Sequence, residues 1–206
     1  MTFLELLKVK LERKKNLITL SSMTEFEDII AFFEKDKCDK EGISEQEFLA
    51  VFLEAYEEYC DELVAKRKGL SIKGVDGAPN WCGYEYMIWK ANFKYFEPIL
   101  KVKKFKDENK LMEGLLSLCL SPKYGKGRQS LIILIGEYGL KTYAPSLGVL
   151  LDDSEVTIQV ISAFTKMKDV SQYEKIKVLA EKEKATPERF YAKKYINKVK
   201  RTPSLD

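Results

Sequence analysis

The sequence predicts an all-α protein, and three observations lead there. Apolar residues recur at helical spacing, as in Phe3, Leu6, Leu7 and Leu11. Thr24 with Glu27, and Ser44 with Glu47, carry the Ser/Thr-x-x-Glu signature that opens helices. Beyond residue 107 the chain falls into helix-sized segments parted by short turns containing Pro, Gly or Asp.

Residues 2–14 form the first expected helix. Glu5 and Lys8 interrupt its apolar stretch, so it reads as an amphipathic helix and not as a secretion signal. The second runs from Thr24 to about Glu34 and shows Phe26, Ile29, Ile30 and Phe33. The third is long, from Ser44 to about Arg67, with a stripe of Phe48, Phe52, Tyr56, Tyr59 and Leu63 that buries one face. The connection Asp36–Glu47 has the outline of a calcium-binding loop, with carboxylates at its first and last positions. Cys38 and Lys40 occupy places where calcium needs oxygen, and Glu41 stands where the sharp turn needs glycine. A capped helix–loop–helix is the better reading.

Residues 68–80 hold three of the eleven glycines and read as the main loop. They lack the Gly-Lys-Ser/Thr ending of a phosphate-binding loop, and no cofactor is expected. An aromatic concentration follows: Trp81, Tyr84, Tyr86, Trp89, Phe93, Tyr95 and Phe96. Tyr84, Ile88, Ala91 and Tyr95 share one helical face; Trp89, Phe93 and Phe96 lie around another. The segment is expected to be a two-sided core helix ended or kinked at Pro98. Trp81, Trp89 and Phe93 are the candidates for an aromatic binding surface in its place. The expected organisation is an N-terminal helical region, 1–70, and an aromatic helix with repeats, 81–206, with one continuous domain left open.

Composition narrows the function classes. Hydrophobic residues at 45% and charged residues at 33% describe an ordinary globular chain. No run approaches the ~18 apolar residues of a membrane span, so a cytoplasmic protein with no membrane partner is expected. Histidine is absent, which removes the commonest general base and the usual transition-metal ligand. Four cysteines without close pairing argue against structural zinc, and Cys60 and Cys119 sit on apolar helix faces as small core residues. The net charge of +3 conceals an asymmetry. Residues 25–62 hold fourteen acids and three lysines, a balance of −11, so the rest sums to +14. Residues 184–206 hold seven bases and two acids, a balance of +5.

In the C-terminal half, Ala144-Pro145, Leu147, Leu150 and Leu151 lead through the turn Asp152-Asp153 into Val156. Arg128, Leu131, Leu134, Ile135 and Gly136 carry a second-helix pattern. Thr157, Val160, Ala163 and Phe164 repeat it less well, as do Arg189, Ala192, Tyr195 and Ile196. The offsets are 157 − 128 = 29 and 189 − 157 = 32 residues. Over roughly residues 107–200 the chain resembles the short HEAT repeats of bacterial proteins. It departs from them where Thr157 replaces the arginine and where the glycine survives only as Gly136. The resemblance implies helical hairpins stacked as a short HEAT-like α-solenoid, capped or extended by the N-terminal helices, because a hairpin cannot bury its own apolar face alone.

In that register the second helices line the concave surface. The positions expected there are Gln129, Ile133 and Glu137; Ile158, Ser162 and Lys166; and Phe190, Lys194 and Lys198. An apolar stripe edged by basic groups suits a protein or acidic peptide, so a non-catalytic interaction scaffold is the leading expectation. Nucleic-acid binding is the alternative. Its basic track would be Lys101, Lys103, Lys104 and Lys106, then Lys123, Lys126 and Arg128, then Lys193, Lys194, Lys198, Lys200 and Arg201. A third reading, a carboxylate- or lysine-dependent enzyme, rests on Asp152 and Asp153, residue types that also cap helices. Oligomeric state is left open.

Overall fold

The computed structural model describes residues 1–14, 18–34, 44–66, 83–106 and 108–200. The glycine-rich loop, Trp81 and most of the calcium-loop-like connection lie outside the described residues. The fold is all-α, with no strand among the described residues and no helix long and apolar enough to cross a membrane. Contacts divide the chain into two units, Met1–Gly127 and Arg128–Asp206.

The first unit contains α1 (Phe3–Glu12), the single turn α2 (Ile18–Ser21), α3 (Phe26–Glu34), α4 (Glu45–Ala65), α5 (Tyr84–Lys101), the short α6 (Lys103–Lys106) and α7 (Asn109–Leu120). Its α1 opens on a capping box, Thr2 with Glu5, that the sequence reading did not single out. Thr2 Oγ1 accepts from the Glu5 amide at 3.2 Å, and Glu5 Oε2 accepts from the Thr2 amide at 2.7 Å. The expected box at Ser44 is present: Ser44 Oγ caps the Glu47 amide, and Glu47 Oε2 accepts from the Ser44 amide at 3.1 Å. Glu47 therefore serves helix initiation. The helix expected from Thr24 begins at Phe26.

Long α4 packs against α1, α5 and α7. Its buried stripe is Phe48, Phe52, Tyr56, Cys60 and Leu63. Tyr59, counted in that stripe from the sequence, is only half-buried. Burial pushes the Cys60 thiol well above its ordinary pKa, as suits a core residue. Phe3 sits among Phe26, Phe52, Tyr56 and Tyr95 with ring centroids 4.3–6.2 Å apart, mostly edge-on, as ring quadrupoles favour. The acidic face of α4 is partly neutralised within the unit. Lys10 Nζ lies 2.7 Å from both Glu54 and Glu58, and Lys123 Nζ lies 2.8 Å from Asp61 and 3.5 Å from Glu57. These exposed pairs add little stability, and their two lysines offset only a small part of the −11 read from the sequence.

The aromatic helix α5 packs on α4 and α3 within this unit, although the expected organisation grouped it with the repeats. It is sided differently from the sequence reading. Ile88, Ala91, Asn92, Tyr95, Phe96 and Ile99 form the buried face, so Phe96 belongs to the core and not with Trp89 and Phe93. Tyr84 is half-buried. Pro98 neither ends the helix nor opens a turn; α5 continues to Lys101. Proline there forgoes the amide bond to the Lys94 carbonyl, a loss the helix carries without ending.

The second unit contains α8 (Gln129–Glu137), α9 (Ala144–Leu147), α10 (Thr157–Met167), α11 (Tyr173–Glu181) and α12 (Pro187–Val199). Here α8 packs on α10, α10 packs on α12, and α12 packs on α11. The stretch from Ala144 to Leu151 that leads into the Asp152-Asp153 turn is broken: α9 is flanked by 3₁₀ turns at Lys141–Tyr143 and Gly148–Asp152. Ala144, Leu147 and Leu150 are buried three residues apart, which places them on one side of a 3₁₀ helix. Helix α10 ends at Lys168, whose φ of 52° is left-handed, with the Asp169 amide donating to the Phe164 carbonyl at 3.1 Å.

Gly136 sets the approach of α8 to α10. A Cβ at this position would lie 2.7 Å from Ala163 Cα, a backbone atom with no room to yield. Gly136→Ala is therefore expected to destabilise by about 1–2 kcal/mol, although alanine is the better helix former by about 1 kcal/mol. Gly114→Ala is the control: its Cβ would meet only the movable Leu53 side chain, and near-neutrality is expected. Urea unfolding followed by circular dichroism distinguishes the two.

Candidate functional site

The nine positions read from the repeat register lie on three successively packed helices. Gln129, Ile133 and Glu137 are on α8; Ile158, Ser162 and Lys166 on α10; Phe190, Lys194 and Lys198 on α12. None of the nine is buried. Their neighbours are: Leu131, Leu134 and Ile135; Val160, Ala163 and Phe164; Ala192 and Tyr195. Each helix places an apolar stripe in the core and turns its i, i+4, i+8 row outward.

One ion pair and one like-charge interaction link these rows. Glu137 pairs with Lys166 across α8 and α10. Lys166 in turn lies within Coulomb reach of Lys198 and Lys194 on α12. The linked positions are 166 − 137 = 29 and 198 − 166 = 32 residues apart, the offsets read from the sequence pattern. At the other end of α8, Gln129 Nε2 donates to the Glu155 carbonyl at 2.6 Å. Phe190 is 65% exposed, a large apolar side chain left in water on the same helix as Lys194 and Lys198.

The electrostatics follow from that spacing. Partial burial, then the charges of Lys198 and Lys194, hold the Lys166 ammonium below its ordinary pKa. Glu137 acts in the opposite sense. An incoming anion beside Lys166 would offset the repulsion it feels from Lys198 and Lys194.

The residues carrying the repeat signature brace the unit. Arg128 is 1% exposed, and its Nη2 lies 2.8 Å from Asp153 and 3.2 Å from Glu155. Asp153 Oδ1 also accepts from the Glu155 amide at 3.0 Å. Thr157, which stands where the pattern wants arginine, donates to the Asp153 carbonyl at 2.6 Å. Arg189 donates from Nε to the Ala180 carbonyl at 3.4 Å and from Nη1 to the Glu183 carbonyl at 3.2 Å. Asp152 pairs with Lys175 at 2.7 Å. The two aspartates singled out as possible acid/base groups are thus engaged in separate ion pairs. The Arg128–Asp153 pairing spans 25 residues and escaped the sequence reading, which noted both residues without connecting them.

The candidate aromatic surface is only partly brought together. Trp89 and Phe93 are half-buried on α5, ring centroids 4.9 Å apart, with Tyr86 stacked on Trp89 at 6.2 Å. Trp81 lies outside the described residues. Asn92 was also missed by sequence reasoning. It is fully buried on α5, accepts from the Tyr56 hydroxyl of α4, and donates to the Gly127 carbonyl at 2.9 Å. A polar residue inside the stripe Ile88, Ala91, Tyr95 was the available signal.

Among the described residues, no group of three or more His, Cys, Asp or Glu side chains is placed to hold a metal ion. No protein-family model, curated protein or solved structure matches this chain.

Proposed function

We propose that this chain is a protein-interaction scaffold whose second unit is a short HEAT-like helical array holding an acidic protein segment on the face of α8, α10 and α12. The observation that carries the reading is the cross-helix alignment of Glu137, Lys166 and Lys198 at the 29- and 32-residue offsets of the repeat pattern. Stacked second helices that keep one register produce an extended surface, and extended surfaces of this kind suit peptide partners. The cations of Lys166, Lys194 and Lys198 favour carboxylates, and exposed Phe190 supplies an apolar anchor on the helix of Lys194 and Lys198.

The test compares the wild-type chain with the triple variant Lys166→Glu, Lys194→Glu, Lys198→Glu as bait in nuclease-treated lysate of the native host. A protein retained by the wild type at low salt, released near the ionic strength where the Debye length shrinks to about 8 Å, and lost with the variant is the expected result. Equal retention by both baits, or no retained protein, overturns the reading. A haul seen only in a parallel lysate without nuclease replaces the protein partner by nucleic acid.

A further inference from the structure

We infer that the groove between α11 and α12 is the anchoring pocket for an acidic protein segment, taking one bulky apolar side chain while its lysines receive the flanking carboxylates. This rests on the scaffold reading and locates where such a partner would be gripped. The groove encloses about 340 Å³, within the range of small ligand pockets. Tyr173, Ala180 and Ile196 give it an apolar lining. Lys177, Lys193 and Lys200 stand around it, exposed, against the single carboxylate of Glu181. Lys177 has Glu174 at 3.8 Å, and neither Lys193 nor Lys200 is held in an ion pair among the described residues.

Charge complementarity selects the occupant. Three cations over an apolar lining disfavour a basic or purely aliphatic partner and favour a segment in which acids flank a Phe or Leu. The groove borders the face described above, because Lys193 and Lys194 are successive residues of α12. A second depression of similar size, between α4 and α7, lacks this character: its Glu54 and Glu57 already pair with Lys10 and Lys123.

The experiment is a titration of the isotopically labelled full chain with the capped peptide Glu-Glu-Phe-Glu-Glu, followed by amide chemical shifts. Alanine in place of Phe, and Gln in place of Glu, make the control peptides. Shifts centred on Tyr173, Lys177, Ile196 and Asn197 are expected, with affinity falling at least about tenfold for either control peptide, as ~1.4 kcal/mol per decade requires. The double variant Lys193→Glu, Lys200→Glu, both at exposed positions, is expected to lose the shifts while its spectrum stays folded. Shifts confined to the rows around Gln129, Lys166 and Lys194 overturn the groove and leave the scaffold reading standing. An absence of shifts anywhere overturns both. Tighter displacement by a single-stranded oligonucleotide, or a concentration-dependent dimer that the double variant abolishes, overturns the acidic partner as occupant in favour of nucleic acid or a second copy.

Discussion

Asp153→Ala is expected to destabilise the second unit by about 3–4 kcal/mol, whereas Arg128→Met costs only about 1 kcal/mol, because the buried member of this ion pair is the base. Arg128 is 1% exposed, while Asp153 and Glu155 retain 27% and 42% exposure. Removing the aspartate withdraws the nearer counter-charge from a desolvated guanidinium, which cannot shed its proton. It also removes the acceptor of the Glu155 amide, so the turn before α10 loses its brace. Removing the arginine while keeping its stem leaves two carboxylates that water can reach, and deletes a buried charge altogether. The order of the two variants is thus a sharper test than either magnitude. Urea midpoints by circular dichroism measure both, and an Arg128→Met variant less stable than Asp153→Ala would show that the acids, not the base, bear the desolvation. The same measurement bears on the reading of Asp153 as a reactive carboxylate, since it separates loss of fold from loss of any activity found.

Asn92→Ala is expected to cost the first unit about 3 kcal/mol. Its side chain is fully buried and joins α4 to the turn before Gly127 through Tyr56 and the Gly127 carbonyl. Truncation removes the partner of both groups where water does not replace it, at about 1–3 kcal/mol each, and leaves a small cavity. Tyr56→Phe alone is expected to cost about 1 kcal/mol, and close to nothing once Asn92 is alanine. Trp89 lies on the same helix, so its fluorescence reports the loss directly. Additive effects of the two substitutions would mean that the hydroxyl and the amide contribute independently, against the network described here.

These two sites show where a sequence reading stops. The helices themselves were legible because their signals are local. Ser44 and Glu47 start α4 by their own hydrogen bonds, and the spacing of Phe48, Phe52 and Tyr56 sorts buried from exposed without knowledge of the partner. Of the nine positions read from the repeat pattern, Glu137, Lys166, Phe190, Lys194 and Lys198 are exposed and the other four are half-buried. Where the local signals compete, the reading failed. The run Tyr84–Phe96 offers apolar residues on most sides, and only the packing of α5 on α3 and α4 decides that Phe96 is core while Trp89 and Phe93 are half-covered. The segment 141–152 has leucines enough for a helix, yet much of it is 3₁₀, and no side chain caps its turns.

By itself, then, the sequence determined the all-α class and the bounds of its capped helices, because propensity, capping and periodicity act within a few residues. The tertiary structure alone decided which distant groups meet: Arg128 with Asp153, Asn92 with Tyr56, and Gly136 with Ala163. Such pairings depend on how one helix rotates and slides against another, and a single side chain carries no signal of that until the core that sets the rotation has formed.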